Sequence, residues 1–261
     1  MSTRLPNLTA ACVVVVTLAA SAAWQTTTPQ SDAAGPDWPA YGGTVQSTRY
    51  SSLQQITRAN VSRLTEAWSF DPREGAFSGR LQVNPIVVSG VVYTITPGGS
   101  AIALDGATGA LKWAWKSGTR GAGRGVTYWS DGQERRILAG FGRYVYALDA
   151  TTGQPVASFG RDGRIDLHAD LGRDPEQQGV AFATPGVIYK SLYIVGGRTS
   201  ESLPASPGDI RAYDARTGLL RWSFHTIPHP GEPGYETWPT DAWTYSGSAN
   251  NWAGMAVDTA R

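Results

Sequence analysis

The chain has 261 residues, enough to bury a sizeable core as one large domain or two small ones. Its 31 glycines, 16 prolines, ten tryptophans and eleven tyrosines, with only 16% charged residues, exclude a coiled coil, a helical bundle or a disordered tail. With 22 basic residues against 21 acidic ones, no strong field is available to attract nucleic acid or an anionic membrane, and nucleic acid is not expected as a partner.

The first 23 residues read as a secretory signal peptide. Arg4 supplies the positive start, residues 8–20 are almost all apolar, and Ala20-Ser21-Ala22 offers a small-residue cleavage site. This run is shorter than the ~20 apolar residues that a spanning helix needs. The only cysteine, Cys12, lies inside it, so the mature chain is expected to lack disulfides, thiolate chemistry and Cys-ligated metal. Residues 24–37 are small and polar and read as a linker, leaving 38–261 as the folded domain. The expected location is exported or periplasmic, at or near the membrane.

An internal repeat dominates the rest. Ile102-Ala103-Leu104-Asp105-Gly106-Ala107-Thr108-Gly109 recurs as Tyr146-Ala147-Leu148-Asp149-Ala150-Thr151-Thr152-Gly153 and as Arg211-Ala212-Tyr213-Asp214-Ala215-Arg216-Thr217-Gly218. A further copy begins at Ala256-Val257-Asp258, and the steps from Asp to Asp are 44, 65 and 44 residues. Each Asp closes an alternating strand, and its carboxylate can accept backbone N–H groups just ahead. The Gly four residues later supplies a positive φ. Eight residues after the Asp stand Trp113 and Trp222; the second copy has Ala157 there, with Phe159 two residues further. Such aromatics are plugs for the space between stacked sheets. Hairpins are expected where residues 85–88 and 91–96 flank Ser89-Gly90, and where 187–189 and 192–195 flank Lys190-Ser191. Two hairpins per repeat make four antiparallel strands, the blade of an all-β propeller. A short helix over residues 57–64 is the one helical expectation.

The Asp-x-x-Thr-Gly-x-x-x-Trp units resemble those of the quinoprotein dehydrogenases that use pyrroloquinoline quinone. So do Trp38-Pro39-Ala40-Tyr41-Gly42-Gly43, Thr48-Arg49-Tyr50-Ser51, Arg124-Gly125-Val126-Thr127-Tyr128-Trp129 and the stretch from Phe224-His225-Thr226-Ile227-Pro228 to Asn251-Trp252-Ala253-Gly254-Met255. The resemblance covers residues 37–261 and is nearest to the glucose-dehydrogenase-like branch. It implies an eight-bladed propeller with the quinone on its axis and a calcium ion bound beside it. It also implies oxidation of a sugar or alcohol, with electrons passed to a membrane quinone or a cytochrome.

Carried over residue by residue, the resemblance implies that Arg124 reaches the quinone's polar edge, where a guanidinium fork suits carboxylate or quinone oxygens. It implies that Trp252 is the floor under the flat cofactor and Glu201 a calcium ligand, a hard cation taking a carboxylate oxygen. Gln82 stands where the family places a Glu or Gln near the cofactor, and Asn250 is a polar contact beside the floor. The adjacent cysteines of the alcohol-oxidising branch are missing from Ser117-Gly118-Thr119-Arg120-Gly121-Ala122-Gly123. A hydroxyl used by some members is Ala183 here, with Thr184 adjacent, and Arg120 stands where glucose-dehydrogenase relatives carry a His. The catalytic Asp of the family has no counterpart in this chain, so no catalytic residue is assigned. About three to four blades are expected, the N-terminal part of a longer dehydrogenase, inactive by itself.

The alternative is a non-catalytic scaffold of the envelope, since propellers of the same repeat serve outer-membrane protein assembly. Two other signals point away from metal. Asp162, Asp166, Asp170 and Asp174 recur every four residues, but Gly163 and Gly172 argue against a helix that would align them; His225 and His229 are separated by Pro228. No Gly-x-Gly-x-x-Gly, phosphate loop or Gly-x-Ser-x-Gly occurs, which removes nicotinamide, nucleotide and serine-hydrolase readings.

Overall fold

The computed structural model describes residues 36–72, 82–119 and 123–260. The expected signal peptide and most of the expected linker lie outside the described residues. Twelve strands are described, in three sheets of four. The first holds β1 (Ile86–Val88), β2 (Val91–Ile95), β3 (Ser100–Asp105) and β4 (Leu111–Lys116). The second holds β5 (Val126–Ser130), β6 (Arg135–Phe141), β7 (Tyr144–Asp149) and β8 (Arg164–Asp166). The third holds β9 (Val187–Tyr189), β10 (Leu192–Val195), β11 (Ile210–Asp214) and β12 (Leu220–Phe224). Each sheet is an antiparallel meander in chain order, as the repeat requires. Ser89 and Gly90 take φ of 50° and 75°, the two left-handed residues of a tight hairpin.

The repeat turns are built alike. Asp105 Oδ1 accepts the N–H groups of Ala107 and Thr108, both at 3.1 Å, and the Thr108 hydroxyl at 3.0 Å. Asp149 does the same with Thr151 and Thr152, and Asp214 with Arg216 and Thr217. Gly109, Gly153 and Gly218 follow at φ of 71°, 72° and 71°, each returning its N–H to the carbonyl of its Asp. One carboxylate thus satisfies three donors that the tight turn would otherwise leave unpaired.

The aromatic plugs lock each turn from the preceding unit. Trp68 donates its indole N–H to Gly106 O at 3.1 Å, and a Cβ at Gly109 would come within 2.6 Å of its ring. Trp113 repeats this one sheet later, donating to Ala150 O at 3.0 Å and covering Gly153 at the same 2.6 Å. Phe159 takes the place in the second unit; it is fully buried, and its neighbour Gly160 donates to Thr217 O at 2.8 Å.

Two apolar clusters fill the two seams. One gathers Ile86, Ile95, Trp113, Val126, Ile137, Ala139 and Phe141, the other Leu138, Val145, Phe159, Leu167, Tyr193 and Tyr213. Strand β6 sends Ile137 and Ala139 into the first and Leu138 into the second, the period-two alternation of a strand buried on both faces.

The longer step of 65 residues comes from an excursion in the second sheet. Val156 N–H donates to Ala147 O at 2.8 Å, the chain loops out, and it returns to the same strand as β8. A connection through the single 3-10 turn Pro175–Gln177, capped by Asp174, then leads to the third sheet. The helix expected over residues 57–64 is only the 3-10 turn Val61–Arg63. None of its residues is buried, and a turn without a packed face has nothing to extend it. Tyr235–Thr237 is another 3-10 turn, and the one α-helical segment among the described residues, Ala242–Tyr245, is a single turn. Among the described residues no helix is long and apolar enough to cross a membrane.

Candidate functional site

The residues just before the first strand of each sheet are tied to one another through the main chain. Asn84 N–H donates to Arg124 O at 2.9 Å, and Arg124 N–H donates to Ala183 O at 2.7 Å. The Thr184 hydroxyl continues the series to Trp252 O. Glycines make this approach close enough. A Cβ at Gly125, whose φ is 151°, would stand 2.7 Å from Asn84 O, and Cβ atoms at Gly123 and Gly140 would enter the Phe182 ring.

This rim frames a cleft of about 360 Å³ whose walls include Gln82, Arg124, Glu201, Asn250 and Trp252. The five residues singled out from the sequence therefore share one cavity, although they come from four stretches of chain, Asn250 and Trp252 sharing one. Arg124 donates from Nη1 to Trp252 O at 3.0 Å, and its guanidinium carbon lies 4.7 Å from the centre of the Trp252 ring. That is a cation–π contact on a half-exposed indole, 51% accessible. Asn250 donates from Nδ2 to Gly197 O at 2.8 Å, which engages its amide nitrogen. Gln82 and Glu201 are exposed at the mouth.

The segment carrying Asn250 and Trp252 is held from behind. A Cβ at Gly208 would lie 1.8 Å from Ser248 O and one at Gly196 2.8 Å from Asn251 O, so the segment lies flat on the third sheet. Ser248 Oγ donates to Ser200 O at 2.6 Å. The Arg173 guanidinium donates to Ala205 O at 2.8 Å, to Ser246 O at 2.7 Å and to Trp243 O. Burial lowers the Arg173 pKa from its ordinary value without a carboxylate to hold it up at hydrogen-bond range.

Two polar cleft residues, besides the apolar Phe182, escaped the sequence reading. Arg198 and Thr199 follow Gly196-Gly197 at the end of β10 and line the same cavity as Glu201. Thr199 is 8% exposed, and its hydroxyl has no hydrogen-bond partner. The cleft thus holds two guanidiniums, Arg124 and Arg198, against the single carboxylate of Glu201. Two guanidiniums against one carboxylate fit an anionic ligand rich in acceptor oxygens. Of the departures from the family pattern, Arg120 lies outside the described residues, and Ala183 contributes its carbonyl to Arg124. The Thr184 hydroxyl is committed to Trp252 O.

Two of the four spaced aspartates and both histidines have local partners. Asp166 pairs with Arg143, and Asp174 caps a turn. His225 and His229 stack at 3.8 Å, and both are bound by Glu232, through His225 Nδ1 at 2.8 Å and the His229 N–H at 2.7 Å. Burial and the neighbouring His225 lower the His229 pKa. Among the described residues no three His, Cys, Asp or Glu side chains gather into a metal-sized group.

Comparison with known proteins places this geometry. Residues 38–261 match the family model described as PQQ: Glucose/ethanol/alcohol dehydrogenase, beta-propeller domain. The chain is 32% identical over 248 residues to the dehydrogenase subunit of a quinone-linked alcohol dehydrogenase from Gluconacetobacter polyoxogenes, covering 85% of this chain and 31% of that protein. It is equally 32% identical, over 259 residues, to the quinone-linked quinate/shikimate dehydrogenase of Acinetobacter baylyi, again covering 85% and 31%. Among solved structures, the quinohemoprotein alcohol dehydrogenase ADHIIG from Pseudomonas putida HK5 superposes with a TM-score of 0.69 at 26% identity, over 86% of this chain and 33% of that one. The chain spans about a third of the length of these relatives. Equal identity to an alcohol and to a quinate/shikimate enzyme ranks neither substrate above the other. With the repeat, the three four-stranded sheets and the match over residues 38–261 in agreement, the chain belongs to the pyrroloquinoline-quinone-dependent dehydrogenase family, as part of its β-propeller domain.

Proposed function

We propose that this chain forms the first blades of an exported quinoprotein dehydrogenase that oxidises a sugar or alcohol, of the glucose-dehydrogenase-like branch, and passes electrons to a membrane quinone or a cytochrome. The observation that carries the reading is the meeting of Gln82, Arg124, Glu201, Asn250 and Trp252 in one cleft. Pyrroloquinoline quinone, when bound, supplies the two-electron acceptor that protein side chains lack. The chain's own residues bind and orient it. Trp252 offers an aromatic face and Arg124, already on that ring, a charged edge. Glu201 provides a carboxylate oxygen for calcium, and Asn250 Oδ1 is free for the ion or the ligand because the amide nitrogen is engaged. We assign no general base to this chain; substrate oxidation belongs to the whole protein.

The test is a titration of the full-length protein with pyrroloquinoline quinone and calcium, read by quenching of tryptophan fluorescence, followed by dye-linked oxidation of glucose and simple alcohols. Binding that weakens at least tenfold in Arg124→Gln and in Trp252→Ala is the expected outcome. A folded protein that binds no quinone in the presence of calcium overturns the reading and leaves a propeller scaffold.

A further inference from the structure

Packing does little to hold Trp252. Its ring is half exposed, with the Arg124 guanidinium on its face, so where it stands is set by the main chain that delivers it. That chain is strained just upstream. Ser248 and Ala249 take φ of 59° and 43°, two consecutive left-handed residues of which neither is glycine. Such a conformation costs free energy in any residue with a Cβ, and it lasts only where the surrounding structure over-determines it. Ala249 is exposed, so burial of its methyl group does not offset that cost.

The restraint comes from Arg173, on the connection between the second and third sheets. Its guanidinium joins the main chains of two segments, donating to Ala205 O at 2.8 Å on one, and to Ser246 O at 2.7 Å and to Trp243 O on the other. The latter two carbonyls lie at the end of the helical turn Ala242–Tyr245, where a helix leaves its last carbonyls unpaired. Tyr245 O, between them, accepts the Ala205 N–H at 3.1 Å. Residues 243–248 are thereby laid along 205–208, so closely that a Cβ at Gly247 would stand 2.0 Å from Ser206 O. The strained pair is pinned next. Ser248 N–H donates to Ser206 O at 3.2 Å, Ser248 Oγ to Ser200 O at 2.6 Å, and Asn250 Nδ2 to Gly197 O at 2.8 Å. A planar fork of five donors suits the upstream clamp, because it reaches carbonyls of both segments at once.

We propose that Arg173 is a positioning residue for the cofactor cleft: it holds Ser248 and Ala249 in their left-handed form and through them fixes where Asn250 and Trp252 stand. Arg173 does not line the cleft, so its effect on a ligand passes through the main chain. The proposal rests on the function proposed above, since it concerns the face offered to the quinone, but the restraint belongs to the chain without ligand. When the clamp is lost, the pair relaxes toward ordinary φ, and quinone binding must then restore the kink at the expense of affinity.

The test uses the full-length protein as wild type, Arg173→Gln, Arg173→Lys, Ala249→Val and the double variant Arg173→Gln with Ala249→Gly. Two quantities are read: affinity for pyrroloquinoline quinone in calcium, by tryptophan quenching, and amide hydrogen exchange of residues 246–252 without quinone. Arg173→Gln is expected to lose about tenfold in affinity and to exchange about tenfold faster over this segment, with Arg173→Lys in between. Glycine adopts left-handed φ without strain, so the double variant is expected to regain part of both losses. An arginine that only stabilises the fold shows no such rescue, because glycine restores none of its hydrogen bonds. Ala249→Val leaves the clamp in place but makes the left-handed conformation costlier, and is expected to repeat the losses; it decides the matter if Arg173→Gln does not fold. The proposal is overturned if Arg173→Gln folds and matches wild type in both readings, or if the double variant is no better than Arg173→Gln. If wild type binds no quinone, the proposed function has failed, and the exchange of residues 246–252 alone decides whether Arg173 holds the kink.

Discussion

Trp113 and Trp222 hold the same place in two copies of one repeat and meet different surroundings. Trp113 is 8% exposed, hydrogen-bonded to the next sheet and pressed on Gly153; Trp222 is 41% exposed on β12. Leu219 and Phe224 beside it are each 59% exposed. The aromatic therefore does not complete its own sheet. It completes the neighbour, so the unit of packing is staggered against the unit of sequence. Polar groups divide along the same line. Among the described residues, the buried side-chain atoms without a hydrogen-bond partner, Gln46 Oε1 apart, fall between Tyr193 and Thr226, in and around the third sheet. The first two sheets carry none of these unpaired atoms, although Leu111 on β4 is itself 51% exposed.

The contrast can be broken most forcefully at Trp113. Trp113→Ala removes a buried indole and its hydrogen bond, and is expected to cost about 3–5 kcal/mol, with the first two sheets losing their cooperative unfolding. Chemical denaturation followed by circular dichroism measures this, and a loss below about 1 kcal/mol would mean that the seam is not set by the plug. Trp222→Ala is expected to change stability of this chain by no more than about 1 kcal/mol, being a surface truncation here. If its melting temperature falls as far as that of Trp113→Ala, the two positions are equivalent after all.

The smallest effect, with the opposite sign, concerns Asp209. It is 5% exposed, Oδ1 accepts the Thr226 N–H at 3.4 Å, and Oδ2 has no partner. Burial raises its pKa, while His225, Arg211 and His229 pull it down by less. The folded state thus holds this proton more tightly than the unfolded state, so stability is lost as pH rises from the unfolded value through the raised one. Asp209→Asn keeps the Thr226 bond and removes the disfavoured charge. Its melting temperature should exceed wild type at pH 7.5 and match it at pH 3.5; a lower value at pH 7.5 would show that the carboxylate is favourably paired.

The turn architecture was readable in the residues because each Asp-x-x-Thr-Gly unit is self-sufficient: Asp149 finds its three donors within three positions of itself. Hairpins at Ser89-Gly90 and Lys190-Ser191 were equally local, and strands appear beside both. The destination of the plugs was less accessible, since it is a relation between repeats. The site was legible through family resemblance alone. Arg124, Glu201 and Trp252 stand on loops far apart in the chain, and nothing in their local spacing marks them. Arg198, Thr199 and Arg173 were missed for a related reason. An arginine or threonine in a loop is ordinarily solvated, and only three accepted carbonyls, in one case, and a buried orphan oxygen, in another, set these apart. Residues 57–64 failed as a helix because local propensity had no packed face to support it.

The rim from Asn84 through Arg124 to Ala183 is joined by peptide groups, and peptide groups are the one part of a residue that mutation leaves in place. Arg124 can exchange its side chain while its N–H and carbonyl continue to bind the neighbours on both sides, and Ala183 can do the same with its carbonyl. Gly125 is the exception, since a Cβ there would strike Asn84 O. This series of peptide links is thus mechanically indifferent to the chemistry mounted on it. Natural variation can retool the cleft one side chain at a time without breaking this main-chain series.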